Sequence, residues 1–137
     1  MEIAILSIGD ELLRGIIDNK NVSYIANQLF INGFQTKTIL SVGDDINVIV
    51  NALDKLSKSH NLIITTGGLG PTPDDKTIEA IADWLNVPIV LNDEVKRTIQ
   101  NFYKNQEVKY TQMRERMAML PQSAELLPNP VGAAPGV

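Results

Sequence analysis

Leu62-Ile-Ile-Thr-Thr-Gly-Gly-Leu-Gly-Pro-Thr-Pro-Asp-Asp-Lys-Thr77 begins as a strand and ends as the entrance to a helix. Leu62 to Thr66 is a short apolar and β-branched run, the composition of a buried strand. Gly67, Gly68 and Gly70 then permit positive φ and close backbone approach. A helical period follows over 76–85, with Ile78, Ile81, Ala82 and Leu85 on one face. Strand, glycine-rich turn and helix in that order are half of a βαβ unit.

Upstream the alternation repeats. Ile3-Ala-Ile-Leu-Ser-Ile8, closed by Gly9, reads as a strand buried on both faces. Residues 21–32 place Val22, Ile25, Ala26, Leu29 and Phe30 at helical spacing, and Asn32-Gly33 supplies the usual stop. Residues 34–42 carry Thr36, Thr38, Ile39 and Val42 and read as a second strand. A helix over 46–58 follows, with Ile46, Ile49, Val50, Leu53 and Leu56 in period and Asp45 as N-cap. Downstream, residues 87–91 form a short extended piece. Asn92 caps a helix over 93–104, and Thr111 caps one over 112–119. Four prolines from Pro121 onward make a tail of loops, with a strand expected around 124–127. The series predicts an α/β fold with a mainly parallel sheet and helices on both faces. In such sheets ligands bind beyond the carboxyl ends of the strands.

That rule gives meaning to three acidic pairs. Asp10-Glu11, Asp44-Asp45 and Asp74-Asp75 each follow one of the first three strands, at the same sheet edge. So many like charges need a cation or hydrogen bonds to compensate them. Hard divalent cations take oxygen ligands, and Mg²⁺ commonly combines one or two carboxylates with substrate phosphates. Each pair also stands just before a helix, where Asp is an ordinary cap. The glycine-rich loop, with Thr66, Thr72 and Lys76 around a helix N-terminus, is suited to a phosphate or to a plain structural turn. It is neither a Walker A loop nor Gly-x-Gly-x-x-Gly.

Composition removes other chemistries. The chain has 137 residues, 44% of them hydrophobic and 20% charged, as expected for a globular protein with a core. It has no cysteine, so thiolate nucleophiles and thiolate metal sites are excluded. His60 is its one histidine, and its place at the start of a strand, opposite the loop edge, reads as structural. Trp84 reads as core or partner packing. Twelve basic against sixteen acidic residues, a net charge of −4, argue against a nucleic-acid partner. No basic leader and no apolar run near 18 residues are found, so the expected location is cytoplasmic, with no membrane partner.

Three segments in order carry a family resemblance: Ile8-Gly-Asp-Glu-Leu-Leu-Arg-Gly15 with Asp18, Asn19 and Asn21; Thr65 to Thr77; and Pro128-Asn-Pro-Val-Gly-Ala-Ala-Pro-Gly136. Together they resemble the molybdopterin-binding (MoaB/MogA-like) superfamily, and most of all its CinA N-terminal branch. The resemblance covers the whole chain. It implies one three-layer α/β/α domain over 1–137, cut before its last strand, with a C-terminal amidohydrolase domain fused beyond it in the full-length protein and a homo-oligomeric state (dimer or trimer).

In the CinA branch it implies divalent-metal-dependent hydrolysis of ADP-ribose to AMP and ribose 5-phosphate. In the molybdenum branch it implies molybdopterin binding and adenylylation. A non-catalytic nucleotide-binding or dimerisation module is the third reading. The family's paired aspartates fall on Asp44 and Asp75, which become the expected catalytic residues. Asp74 stands where the molybdenum branch tends to have arginine, and this favours a metal-rich site over a basic pterin pocket. The cation (Mg, Co or Mn) would then be held by Asp44, Asp74 and Asp75, with Asp10 and Glu11 at a second metal or at ribose. Gly67, Gly68 and Gly70 with Thr66 and Thr72 would cradle phosphates, joined by Gly9, Lys76 and Thr77. Asp18 and Asn21 would contact sugar or base, although Asn19 to Asn21 equally suit a helix cap.

Overall fold

β1, Ile3–Ile8, is buried along its whole length, and each of its residues is at most 1% exposed. A strand with water on neither face belongs at the centre of a covered sheet, and the computed structural model, which describes all 137 residues, places it there. β2 (Thr36–Val42) and β3 (Leu62–Thr66) flank it, both parallel, in the order β2-β1-β3. Pairing runs from Ile3 opposite Thr36 and Leu62 to Ser7 opposite Ser41 and Thr66, with one register shift between Ile3 and Ala4 on the β2 side.

Two compact units divide the chain at Gly68: Met1–Gly68 and Leu69–Val137. The first is the parallel sheet with its helices. A single turn, α1 (Asp10–Leu13), follows β1. α2 (Lys20–Ile31) then connects β1 to β2, and α3 (Ile46–Ser57) connects β2 to β3. α3 buries Ile49, Ala52, Leu53 and Leu56, the period its sequence announces, and Asp45 caps it by accepting from the Val48 amide at 3.1 Å. Fully burying side chains of this size contributes roughly 1.5–3 kcal/mol each. α2 departs from expectation. Val22 is its one buried residue, and Phe30 is 75% exposed. The helical period is present, but the face it defines is only partly covered. His60 fastens the end of α3 to β2: Nδ1 lies 3.0 Å from the Leu56 carbonyl and Nε2 lies 2.9 Å from Thr38 Oγ1.

The second unit contains α4 (Thr77–Leu85), β4 (Ile89–Leu91), α5 (Asp93–Asn105), α6 (Gln112–Glu115) and β5 (Met119–Pro121). β4 and β5 pair antiparallel. Its core gathers Val95 and Ile99 of α5 with Met117, Ala118 and Leu120. Asn92 and Thr111 cap α5 and α6 as read from the sequence, accepting from the Val95 and Arg114 amides.

Three expectations are corrected in this unit. The 112–119 helix stops at Glu115, passes through a 3₁₀ turn at Arg116–Ala118 and becomes β5, because Met117, Ala118 and Leu120 are drawn into the core. No strand forms over 124–127; Leu127 makes one isolated antiparallel bridge, to Gly136. Leu85 is 50% exposed at the end of α4, where Asn86 in the left-handed region turns the chain away.

Candidate functional site

The strand order β2-β1-β3 means that the chain leaves β1 to one side and later crosses to the other. A crevice opens at such a reversal, beyond the carboxyl ends of the central strands. Here it is a cleft of about 290 Å³ in the first unit, walled by Ile8 at the end of β1, Thr66 and Gly67 at the end of β3, Glu11 and Leu12 of α1, and Ile17 to Asn21. Five residues expected at a substrate or metal converge on it: Glu11, Asp18, Asn21, Thr66 and Gly67.

Neutral hydrogen bonds hold this cleft. Asn19 Oδ1 accepts from the Val22 amide at 3.3 Å and so caps α2. Its Nδ2 donates to Ser7 Oγ at 2.7 Å, and Ser7 is fully buried in β1. Ser7 Oγ also lies 3.3 Å from Ser41 Oγ of β2. One amide therefore satisfies a helix end and a buried hydroxyl together, and sets the start of α2 over the end of β1. Two residues on, Asn21 Nδ2 donates to Thr66 Oγ1 at 3.2 Å, joining the two sides of the cleft. Thus the cap reading holds for Asn19, while Asn21 faces the cleft.

Gly67 is there of necessity. Its φ is +101°, and a β-carbon would fall on the carbonyl oxygen of Ile8. Only glycine lets β3 end this close to β1.

Asp10 and Asp44 clasp each other beyond the strand ends. The Asp10 amide donates to Asp44 Oδ2 at 2.9 Å, and the Asp44 amide donates to Asp10 Oδ1 at 3.2 Å. The clasp ties the loop after β1 to the loop after β2. Gly43 allows it, since a β-carbon there would meet Asp10 Oδ1. Arg14 Nη2 stands 3.6 Å from Asp10 Oδ2. Glu11 folds back instead, its Oε1 2.6 Å from where a β-carbon on Gly9 would stand. Of the second acidic pair, then, Asp45 is a helix cap and Asp44 is not.

In the second unit, Asp75 closes a tight turn. Its Oδ2 accepts from the Thr72 amide at 2.9 Å and from Thr72 Oγ1 at 2.6 Å, and its own amide donates to the Thr72 carbonyl at 3.1 Å. Gly70 leaves room for that carboxylate. Asp75 is not the cap of α4; that position is Lys76, which makes no side-chain cap bond. Asp74 is exposed, and Thr77 is fully buried at the start of α4.

In neither unit do three or more aspartates, glutamates or histidines gather as a metal-holding group. Two carboxylates side by side, those of Asp10 and Asp44, are the number that Mg²⁺ typically takes from protein when it arrives with phosphate, so the donor chemistry would fit such a cation.

Sequence reasoning missed two contributors. Lys20 brings a positive charge to an otherwise acidic cleft wall. Arg116 reaches the turn at Pro71 and Thr72 from 44 or more positions away. Helical position points to Lys20, as the first residue of α2; no local signal points to Arg116.

Residues 4–137 match the family model described as "probable molybdopterin binding domain". The chain belongs to that family. Among relatives, it is 38% identical over 136 residues to a CinA-like protein of Petrotoga mobilis, covering 99% of this chain and 34% of that protein. It is 42% identical over 136 residues to a CinA-like protein of Geobacter metallireducens, covering 99% and 33%. The structure of the protein CinA from Thermoplasma acidophilum superposes with a TM-score of 0.89 at 32% identity, covering 98% of this chain and 79% of that one. The tungsten cofactor synthesizing protein MoaB from Pyrococcus furiosus superposes at 0.56 with 23% identity, covering 76% and 63%, and shows the shared MoaB/MogA-type fold. The chain spans from about a third to about half of the length of the curated relatives it matches. None of its helices is long and apolar enough to cross a membrane.

Proposed function

We propose that the chain is the hydrolytic part of a nucleotide pyrophosphatase, acting on ADP-ribose-type substrates and water to release AMP and ribose 5-phosphate with a divalent cation. The observation that carries this reading is the cleft at the strand-order reversal, whose walls bring Asp18, Lys20, Asn21, Thr66 and Gly67 together. At about 290 Å³ it lies at the small end of ligand pockets and suits one half of such a molecule.

In this reading Asn21 and Thr66 bind hydroxyl and phosphate oxygens, Lys20 offsets phosphate charge, and Asp18 accepts from ribose. Asp44 and Asp10 would hold Mg²⁺, Co²⁺ or Mn²⁺, which supplies charge neutralisation and an acidified water. The family resemblance assigns Asp75 a share in catalysis, and its turn in the second unit holds the carboxylate in one orientation. The family match supports a second reading, in which the same cleft takes the phosphate of molybdopterin and the activity is adenylyl transfer. Homo-oligomerisation, a fused C-terminal amidohydrolase domain and a cytoplasmic location belong to the same proposal.

The test is direct. The protein is incubated with ADP-ribose and Mg²⁺, Co²⁺ or Mn²⁺, and AMP is measured. AMP should appear with metal and vanish with a chelator. Asp44→Asn and Asp75→Asn should each lower turnover by about 100-fold or more with the fold retained by circular dichroism. Molybdopterin binding without AMP release under any cation would replace the first reading by the second.

A further inference from the structure

Arg116 carries the strongest unassigned side-chain constellation in the second unit. It opens the 3₁₀ turn, and its neighbours Met117 and Ala118 are buried in the core, so its backbone is a fixed base. From there the guanidinium reaches back to the glycine-rich loop. Nη1 donates to the Thr72 carbonyl at 2.8 Å and lies 3.5 Å from the Pro71 carbonyl. Nη2 donates to Glu79 Oε1 of α4 at 2.9 Å.

Thr72 is the residue whose amide and hydroxyl hold the Asp75 carboxylate. Its carbonyl accepts from both Arg116 and the Asp75 amide. Residues 67–76 contain no helix or strand, so no regular ladder fixes this turn. A planar guanidinium can bind two acceptors in fixed directions at once, which a lysine ammonium on a flexible stem does less well. Glu79 already balances its charge and orients it.

We infer that Arg116 is a positioning residue: it braces the Pro71–Thr72 segment against α4 and thereby fixes the orientation of Asp75. Its part in turnover rests on the proposed hydrolytic reading. The brace itself does not, since its hydrogen bonds all lie within the chain.

Two measurements separate these. Amide hydrogen exchange is followed in Arg116→Gln, Arg116→Lys and Glu79→Gln without ligand. The brace predicts that exchange at Thr72 and Asp75 rises at least tenfold in Arg116→Gln, less in Arg116→Lys and least in Glu79→Gln, with Val95, Ile99 and Leu120 unchanged. Exchange that is unaltered at Thr72 and Asp75, or that rises equally across those core amides, overturns the inference. Turnover of ADP-ribose with Mg²⁺ is then compared. A positioning residue predicts a fall in kcat of tenfold or more in Arg116→Gln with KM changed less than threefold and partial rescue by lysine. A change confined to KM would make Arg116 a substrate contact and overturn the positioning role. Absence of turnover in the unsubstituted protein, with the exchange pattern as expected, would sink the hydrolytic reading and leave the brace standing.

Discussion

The cleft of the first unit and the Asp75 turn of the second are braced by different physics. In the first, the cleft is set by neutral groups: Asn19 between Ser7 and the Val22 amide, Asn21 on Thr66, and a glycine against the Ile8 carbonyl. In the second, the Asp75 turn leans on a half-exposed ion pair, Arg116 with Glu79, and a second charged group joins Lys96, Glu115 and Tyr110. Neutral bonds are indifferent to salt and to ordinary pH. Ion pairs near the surface are weakened by salt, and by acid once the carboxylate is protonated. The difference teaches where geometry is permanent and where conditions can adjust it.

The largest effect should come from Gly67→Ala. The new methyl would occupy the space of the Ile8 carbonyl and sit on a backbone at positive φ. A loss of about 3 kcal/mol is expected, near the top of what single substitutions do. Urea denaturation should show it, and β1 amides should lose hydrogen-exchange protection. A loss under 1 kcal/mol would mean that the end of β3 can move away from β1.

Asn19→Ala comes next. It removes a helix cap, about 1 kcal/mol, and one partner of a fully buried hydroxyl, about 1 kcal/mol more, with Ser41 left as the alternative. The sum of about 2 kcal/mol should be the same in low and high salt. Glu79→Gln in the second unit should cost less than about 1 kcal/mol at low ionic strength and almost nothing in molar salt, because the pair it breaks is part-exposed. Equal salt dependence for the two variants would erase the distinction between the units.

Much of this was legible in the sequence where the interactions are local. The caps at Asp45, Asn92 and Thr111 bond three residues ahead, and β1 announces its burial by having almost no polar residue. The expected parallel sheet follows from the order of elements. What was not legible depends on distant partners. The Asp10–Asp44 clasp spans 34 positions, and Arg116 reaches its acceptors over 44 and 45. Periodicity also fails where a helix has no cover, as at Phe30. It fails again where a short strand competes with a helix, as after Glu115. Glu11, Asp18, Asn21, Thr66 and Gly67 line one cleft, because parallel topology sends those loops to one edge.

The smallest expected effect is the most selective. Lys96 Nζ lies 2.7 Å from Glu115 Oε2, and Tyr110 donates to the same oxygen at 3.2 Å. The Lys96 hydrogen bond holds Glu115 below the ordinary carboxylate value of 4.5, against a smaller opposing effect of burial. Its stabilising contribution is therefore present above that pH and lost as pH falls through the lower folded value. Glu2 behaves alike in the first unit because of Lys37, so acid titration affects both units. Base does not. Burial, and then the adjacent Glu115, push the Tyr110 phenol from 10.0 up to about 12. The neutral phenol is favoured by folding, so its contribution is complete below pH 10 and disappears between pH 10 and about 12. The phenol is part-exposed, so solvent screening weakens the effect. Tyr110→Phe should remove the phenolate absorbance step near pH 12 and flatten the alkaline decline in urea stability. A decline of the same slope with and without the hydroxyl would show that Tyr110 contributes nothing to the alkaline response of the second unit.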